Sequence, residues 1–352
     1  MRIAVVSTPF VNVPPCRYGG TEFVISELVE GLVARGHDVT LFATGDSHTT
    51  ARLRYLYGQA QWPPNILHDL NHTTWALHQV QRGSYDLVHV HSAGALAFRR
   101  WAPQLPLVYT LHHVRDETLS AFYAHFPDVC YVAISADQAR REIPLPQVRV
   151  IHHGLDPAHF EWTSRPADYV CFVGRFAPIK GPHLAIDAAA LAGVPIRVAG
   201  EAHDVDREFG EREMKPRLAR THVTYLGEIG MAEKVPLLRD ARALLAPISW
   251  DEPFGLALIE AMLSGCPVVA FPRGSVPELV EPGLTGFVAN DLEEMVELIR
   301  PGGAVDRFDR RRCRERAAER FSRAHMVLEY ERLYQELLSP ARRLNPTTRR
   351  IA

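Results

Sequence analysis

Two glutamates, Glu252 and Glu260, stand with seven residues between them in the segment DEPFGLALIEAML, residues 251–263. Pro253 and Gly255 mark a loop turning into a helix, and Leu256, Ile259, Met262 and Leu263 fall on one face of that helix. Glu252 is then a loop residue, and Glu260 lies two turns into the helix. Both carboxylates can face one crevice and accept hydrogen bonds from ligand hydroxyls. Unpaired backbone N–H groups at the helix start suit phosphate or sugar oxygens. Two solvated surface glutamates would show the same spacing, so the pair needs a context.

Arg175 and Lys180 offer one. Val173-Gly174-Arg175 closes an apolar run and Lys180-Gly181 opens the next helical segment, which places two cations at one strand end. A diphosphate leaving group needs such neutralisation as its bond breaks; solvated surface cations are the alternative. Gly19-Gly20 precedes another helix, where glycines let backbone N–H groups approach an anion, or simply make a turn. The G-x-G-x-x-G of dinucleotide folds is absent from the loop TPFVNVPPCRYGGTE. His89 and His91 project from one side of a strand, and His112-His113 and His152-His153 are adjacent pairs. Carboxylate or cysteine partners at metal-binding spacing are missing, so His91 reads as a polar cleft wall rather than a ligand. Ser135 lacks a nucleophile elbow and is placed on the same wall. No D-x-D pair follows a strand in the manner that bridges a metal to a diphosphate. No metal or other cofactor is expected.

Short Val- and Ile-rich runs must position these groups. In the first half they are residues 2–7, 38–43, 87–91, 107–111, 130–134 and 148–152. In the second they are 169–173, 196–199, 223–226, 243–247, 268–271 and 286–289. None alternates strictly between apolar and polar, as expected of parallel strands covered on both faces. Helical segments lie between them, at 22–35, 74–82, 136–142, 182–192, 208–219, 232–240, 256–263 and 292–300. Two successive βαβ series predict an α/β fold of two doubly wound parallel sheets, divided at the polar stretch EWTSRPAD, residues 161–168. Residues 307–338 are expected to be wholly helical. Their basic opening, RFDRRRCRERAAERFSR, predicts either a solvated helix face or a surface for anionic lipid or acceptor. The tail ARRLNPTTRRIA is expected to fray.

Bulk composition agrees with a folded globular protein of two domains: 352 residues, 47% hydrophobic and 23% charged. A formal net charge of −2 gives no basic excess for nucleic acid. Five scattered cysteines with no C-x-x-C pair predict neither disulfides nor zinc, hence a reducing, cytoplasmic compartment. The opening MRIAVVST lacks the features of a signal peptide, and no uncharged run is long enough to span a membrane. Peripheral contact at the inner membrane face is left open. Nothing reads out an oligomeric state.

The segments PPCRYGGTE, YDLVHVHS, LVYTLHH, CYVAIS, VRVIHHGLDPAHF, VGRFAPIKG, VTYLGEI, WDEPFGLALIEAMLSGCPVVA and GSVPELVEPGLTGFV occur in this order along almost the whole chain. Together they resemble glycosyltransferase family 4, and the opening loop is similar to the subgroup that includes enzymes of oligosaccharide-antibiotic assembly. The resemblance implies the GT-B fold, with two Rossmann-like domains facing a cleft. Residues 1–165 would form the acceptor side and 166–321 the nucleotide-sugar side, with a final helix at about 322–352 packing back on the first domain. It implies transfer of a hexose from a nucleotide-sugar donor to a sugar, lipid-linked or small-molecule hydroxyl acceptor, with retention of configuration by front-face attack. Arg175 and Lys180 would contact the diphosphate, Glu252 the sugar hydroxyls and Glu260 the ribose. The backbone of Phe254, Gly255 and Leu256 would meet sugar or phosphate oxygens. Gly20, with Gly19, would approach the phosphate from across the cleft, His112 would sit beside the transferred sugar, and Ile229 would hold the base. Gly230 offers no carboxylate to a guanine edge, which favours UDP over GDP. His153 stands where the family often has Asn, a departure expected to alter hinge or cleft detail rather than chemistry. A phosphorylase or epimerase on the same scaffold and a non-catalytic sugar-nucleotide binder are the competing classes.

Overall fold

The computed structural model describes residues 1–17 and 19–339. The expected tail, and the expected helix beyond residue 339, lie outside the described residues. The strands are β1 (Arg2–Val6), β2 (Asp38–Ala43), β3 (Arg52–Tyr55), β4 (Leu87–Val90), β5 (Leu107–Leu111), β6 (Cys130–Ala133), β7 (Val148–Val150), β8 (Val170–Val173), β9 (Ile196–Ala199), β10 (Val223–Tyr225), β11 (Leu244–Ala246), β12 (Val268–Ala270) and β13 (Gly286–Val288). They form two wholly parallel sheets, ordered β3-β2-β1-β4-β5-β6-β7 and β10-β9-β8-β11-β12-β13. In each sheet the order reverses direction beside the first strand, between β1 and β4 and between β8 and β11, and such a switch point opens a crevice at the strands' carboxyl ends.

The helices are α1 (Gly20–Ala34), α2 (Ile66–Arg82), α3 (Glu117–Tyr123), α4 (Ala136–Arg141), α5 (Pro182–Ala192), α6 (Arg207–Phe209), α7 (Lys215–Leu218), α8 (Met231–Asp240), α9 (Leu256–Leu263), α10 (Val276–Leu279), α11 (Leu292–Ile299), α12 (Arg310–Phe321) and α13 (Arg323–Leu338). The missing in/out alternation has its cause in the packing. Ile3 and Val5 face α1 and α13, while Ala4 and Val6 face the layer containing Ala76, Val80 and Tyr123, so both sides of β1 are buried. The second sheet is sandwiched in the same way.

Several expectations are corrected. The first sheet has seven strands, not six: β3 reads RLRY, is largely exposed, and lies at an edge, where charged side chains are tolerated. α2 starts at Ile66 rather than near residue 74, because Asn65 caps it by accepting from Leu67 N (2.8 Å). The helix expected at 208–219 is irregular, with a π-helical turn at Gly210–Met214 between α6 and α7. Pro216 explains this, since its ring would crowd an α-helical carbonyl one turn earlier and the wider turn relieves the clash. The C-terminal helix is broken at Ser322, whose extended backbone ends α12 and whose side chain accepts from His325 N (3.3 Å) to start α13.

The break is where the chain crosses between domains. Leu155 N donates to Phe321 O (2.9 Å) and Arg323 N to Leu155 O (2.7 Å), so the outgoing and returning segments are stitched side by side. α13 then packs on α1, with Arg323 gripping Glu27 through two hydrogen bonds of 2.6 and 3.0 Å. The basic run is not an open cationic surface throughout. Arg310 turns inward and donates to the carbonyls of Thr163 (2.8 Å), Ala241 (2.7 Å) and Arg239 (2.6 Å). Arg314 donates to the Pro157 carbonyl (2.9 Å) and to those of Phe160 and Leu263. Arg316 and Arg320 pair with Glu281. Arg310 and Arg314 thereby pin the inter-domain linker. All five cysteines are unbridged, and only Cys16 is exposed. Among the described residues no helix is long and apolar enough to cross a membrane.

Candidate active site between the two sheets

The carboxyl ends of β8 and β11 carry the expected cations and acids together. Lys180 forms an ion pair with Glu252 and lies 4.7 Å above the Trp250 ring. Trp250 Nε1 donates to the same glutamate oxygen at 3.0 Å. Glu252 is thus 8% exposed but doubly satisfied. Arg175, at the end of β8, has its Nε 3.4 Å from Asp206 Oδ2. Glu260 is buried on α9 and accepts from Lys234 Nζ at 2.5 Å; Lys234 in turn lies 5.9 Å from the Phe23 ring of α1. Spacing alone does not single out Lys234 or Asp206, and both acid–base pairs form only once the helices are in place.

Gly255 adopts φ 89°, a left-handed conformation that favours glycine, and it turns the loop directly into α9. No side chain caps α9, so the backbone N–H groups at its start are left without a side-chain partner. Across the crevice, a Cβ on Gly20 would stand 3.1 Å from Leu256 Cδ1. The glycine turn and the start of α9 therefore meet face to face. Gly19 precedes α1 at φ 147°. Ile229 is partly buried against the core around α9, one residue before Gly230, whose N–H is held by Glu233 Oε2 at 3.1 Å.

The first sheet contributes a file of imidazoles. His91 Nδ1 and His112 Nε2 lie 2.8 Å apart, one protonated and the other accepting. His112 stacks on His153 at 5.5 Å, and His153 meets the Phe254 ring edge-on at 4.9 Å. Behind His91, His89 bonds Tyr334 Oη (2.8 Å) and Thr110 Oγ1 (2.7 Å), which anchors the file to α13. Burial is the main reason these rings lose basicity. His112 falls to about 3, with a further push from His113; His89 also falls to about 3, and His91 and His153 fall well below the ordinary value. The rings are neutral at neutral pH and stack rather than converge. Among the described residues no group of three or more His, Cys, Asp or Glu is arranged to hold an ion.

Ser135 serves the helix rather than the cleft, since its Oγ caps α4 by accepting from Gln138 N (3.1 Å). Gln138 went unnoticed in the sequence. Its Nε2 donates to Leu111 O (3.1 Å) and His113 O (2.8 Å), so it holds the backbone on both sides of His112. Glu278 also went unnoticed as a single residue. From the second sheet's side it accepts from Ala136 N at 2.9 Å and from His152 Nε2 at 2.5 Å, tying α4 to α10. Burial opposes its charge, but these hydrogen bonds hold its pKa below the usual carboxylate value.

Residues 159–318 match the family model described as glycosyl transferases group 1, and residues 18–159 match that of Glycosyltransferase Family 4. D-inositol 3-phosphate glycosyltransferase of Mycolicibacterium smegmatis (strain ATCC 700084 / mc(2)155) is 31% identical over 311 residues, covering 75% of this chain and 70% of the relative. The protein of the same name from Mycobacterium bovis (strain BCG / Pasteur 1173P2) is 32% identical over 252 residues, 60% of this chain and 52% of its own length. Among solved structures, AviGT4, a glycosyltransferase involved in avilamycin A biosynthesis, superposes with a TM-score of 0.74 at 23% identity, covering 97% of this chain and 98% of that one. HepE of Anabaena, solved with UDP, superposes at 0.73 with 20% identity, covering 96% and 100%; it has also been solved with UDP-glucose. With two Rossmann-like sheets and this level of identity over this length, the chain belongs to glycosyltransferase family 4 and is a glycosyltransferase of the GT-B fold.

Proposed function

We propose that the enzyme moves a hexose from a UDP-sugar to a hydroxyl acceptor with retention of anomeric configuration. The donor would lie on residues 166–321 and the acceptor on residues 1–165. One arrangement carries this: the lysine-paired glutamates Glu252 and Glu260 flank the uncapped start of α9, opposite Gly20 and His112. Glu260 suits ribose hydroxyls, with Ile229 beside the base. Glu252 and the backbone at Phe254–Leu256 suit the sugar. Arg175, Lys180 and the α9 N–H groups neutralise the diphosphate as its bond breaks. The binding of UDP by HepE, a neighbour in fold, supports the choice of base.

In the proposed step the acceptor oxygen forms a bond to the anomeric carbon on the face from which the diphosphate departs. The bond from that carbon to the diphosphate oxygen breaks, and the acceptor's proton passes to the same oxygen. His112, kept neutral by desolvation, would orient a sugar hydroxyl and would take no part in proton transfer. No metal or cofactor is assigned a role. Thermal-shift titration with UDP, GDP, ADP and TDP sugars tests the donor, with the largest shift expected for UDP. NMR of the product's anomeric proton tests the stereochemistry, and an inverted product would overturn the front-face route.

A further inference from the structure

A cavity of about 630 Å³ opens between α4 and the loop before α9, within the size range of small-ligand sites. On one side it is lined by Asp251 and Pro253, the two neighbours of Glu252. On the other it is lined by Gln138, which holds the backbone around His112, and by Val114 and Arg115 just beyond that histidine. The cavity therefore touches the flanks of both proposed reaction-centre residues. Arg175 and Lys180 do not line it, which separates it from the diphosphate's place.

Its charges do not balance. The lining carries Arg115, Arg140 and Arg141 against Asp137 and Asp251. Asp137 is shared by Arg140 (3.0 Å) and Arg141 (2.6 Å), and Arg141 also reaches Asp251 (2.7 Å). Two carboxylates are thus satisfied by two guanidinium groups. Arg115 makes no ion pair or side-chain hydrogen bond among the described residues, so one positive charge is left over at the cavity wall. A guanidinium at such a wall favours an anion that it can bind through two N–H groups.

We propose that this cavity seats the acceptor, and that the acceptor carries an anionic group, a phosphate or a carboxylate, held by Arg115. The assignment rests on the reaction centre placed between His112 and Glu252. It predicts discrimination by charge at a site distinct from that of the nucleotide.

Calorimetric titration of the full chain with glucose, glucose 6-phosphate and glucuronate tests it, each with and without UDP. At least one anionic probe is expected to bind ten times or more tightly than glucose, and UDP should not displace it. The phosphate and carboxylate arms show which anion is preferred. Arg115→Gln should bring the probes to within about threefold of one another, and Arg115→Lys should retain most of the preference. Arg115 is an exposed loop residue, and an unchanged UDP titration of each variant verifies that the fold is intact. Equal binding of neutral and anionic probes, no detectable binding of either anion at millimolar concentration, displacement by UDP, or a preference that survives Arg115→Gln would each overturn the proposal. The UDP titration of the wild type alone tests the donor assignment, whereas charge discrimination without UDP tests this one.

Discussion

Glu252 and Glu260 look alike in the sequence, yet their surroundings differ, and so do the roles proposed for them. Glu252 is bound by Lys180 and Trp250 at the crevice, whereas Glu260 is bound by Lys234 deeper along α9. Glu252→Gln should therefore lower kcat/KM by about 100-fold, the scale of losing one oriented polar group in the transition state. Glu260→Gln should raise the donor KM by about tenfold with a smaller change in kcat, since the ribose contacts proposed for it would be the same in ground and transition states. Steady-state kinetics with a UDP-sugar separates the two, and equal effects on KM would refute the division. The imidazole file makes a second prediction. His89 and His112 stay neutral in the folded protein down to about pH 3, but in the unfolded chain they protonate near 6.5. The unfolded state then binds more protons below 6.5, so stability present above that pH is lost as pH falls. The expected slope is roughly 1.4 kcal/mol per pH unit for each such ring. His91 and His153 add to it, while His159, whose pKa the Glu27 carboxylate raises, offsets part. Urea unfolding between pH 6.5 and 5 measures the slope, and His89→Gln should flatten it by about one ring's share.

At the level of elements, the decisive contact is the crossing of the 153–155 segment with the α12/α13 break. A Cβ on Gly154 would lie 2.3 Å from Ser322 O and 2.8 Å from Met326 Cβ. A backbone oxygen cannot swing aside as a long side chain can, so Gly154→Ala must push the two segments apart. The expected cost is about 3 kcal/mol of stability, read as a lower urea midpoint. Because α13 is anchored by Tyr334 on His89 and by Arg323 on Glu27, the same variant should perturb the imidazole file. A wild-type midpoint would show that the crossing is looser than this geometry.

For the molecule as a whole, the two domains are held by contacts of unequal worth. Arg141 with Asp251 joins half-exposed side chains and contributes about 0–1 kcal/mol. Glu278 is different: it satisfies Ala136 N, Asp137 N (3.3 Å) and His152 at once. Removing it leaves donors at the start of α4 unpaired, each costing about 1–3 kcal/mol if still buried. Glu278→Ala should therefore loosen the domain arrangement and enlarge the radius of gyration measured by small-angle X-ray scattering. It should also lower turnover while leaving UDP affinity nearly unchanged, if the donor lies on the second domain as proposed. An unaltered radius of gyration would mean that Glu278 does not hold the domains.

Most strands were legible in the sequence because burial on both faces leaves an uninterrupted apolar run, as in RIAVV of β1. The edge strand β3, RLRY, carried no such mark, since an edge needs no apolar face. Glu252, Glu260, Arg175, Lys180 and Gly20 could be singled out because a chemically suited side chain at a strand end or helix start is a local pattern. The pairings between residues far apart in the chain could not. Lys234 lies 26 residues from Glu260, His112 21 from His91, and Ala136 142 from Glu278. Local periodicity extends only over a few turns of helix or one strand. Contacts at these separations arise from sheet order, from the way α13 returns to the first domain, and from the facing of the two sheets. The basic run of α12 makes the same point in reverse: its charge was plain in the sequence, but only packing against the linker turns Arg310 and Arg314 inward onto backbone carbonyls.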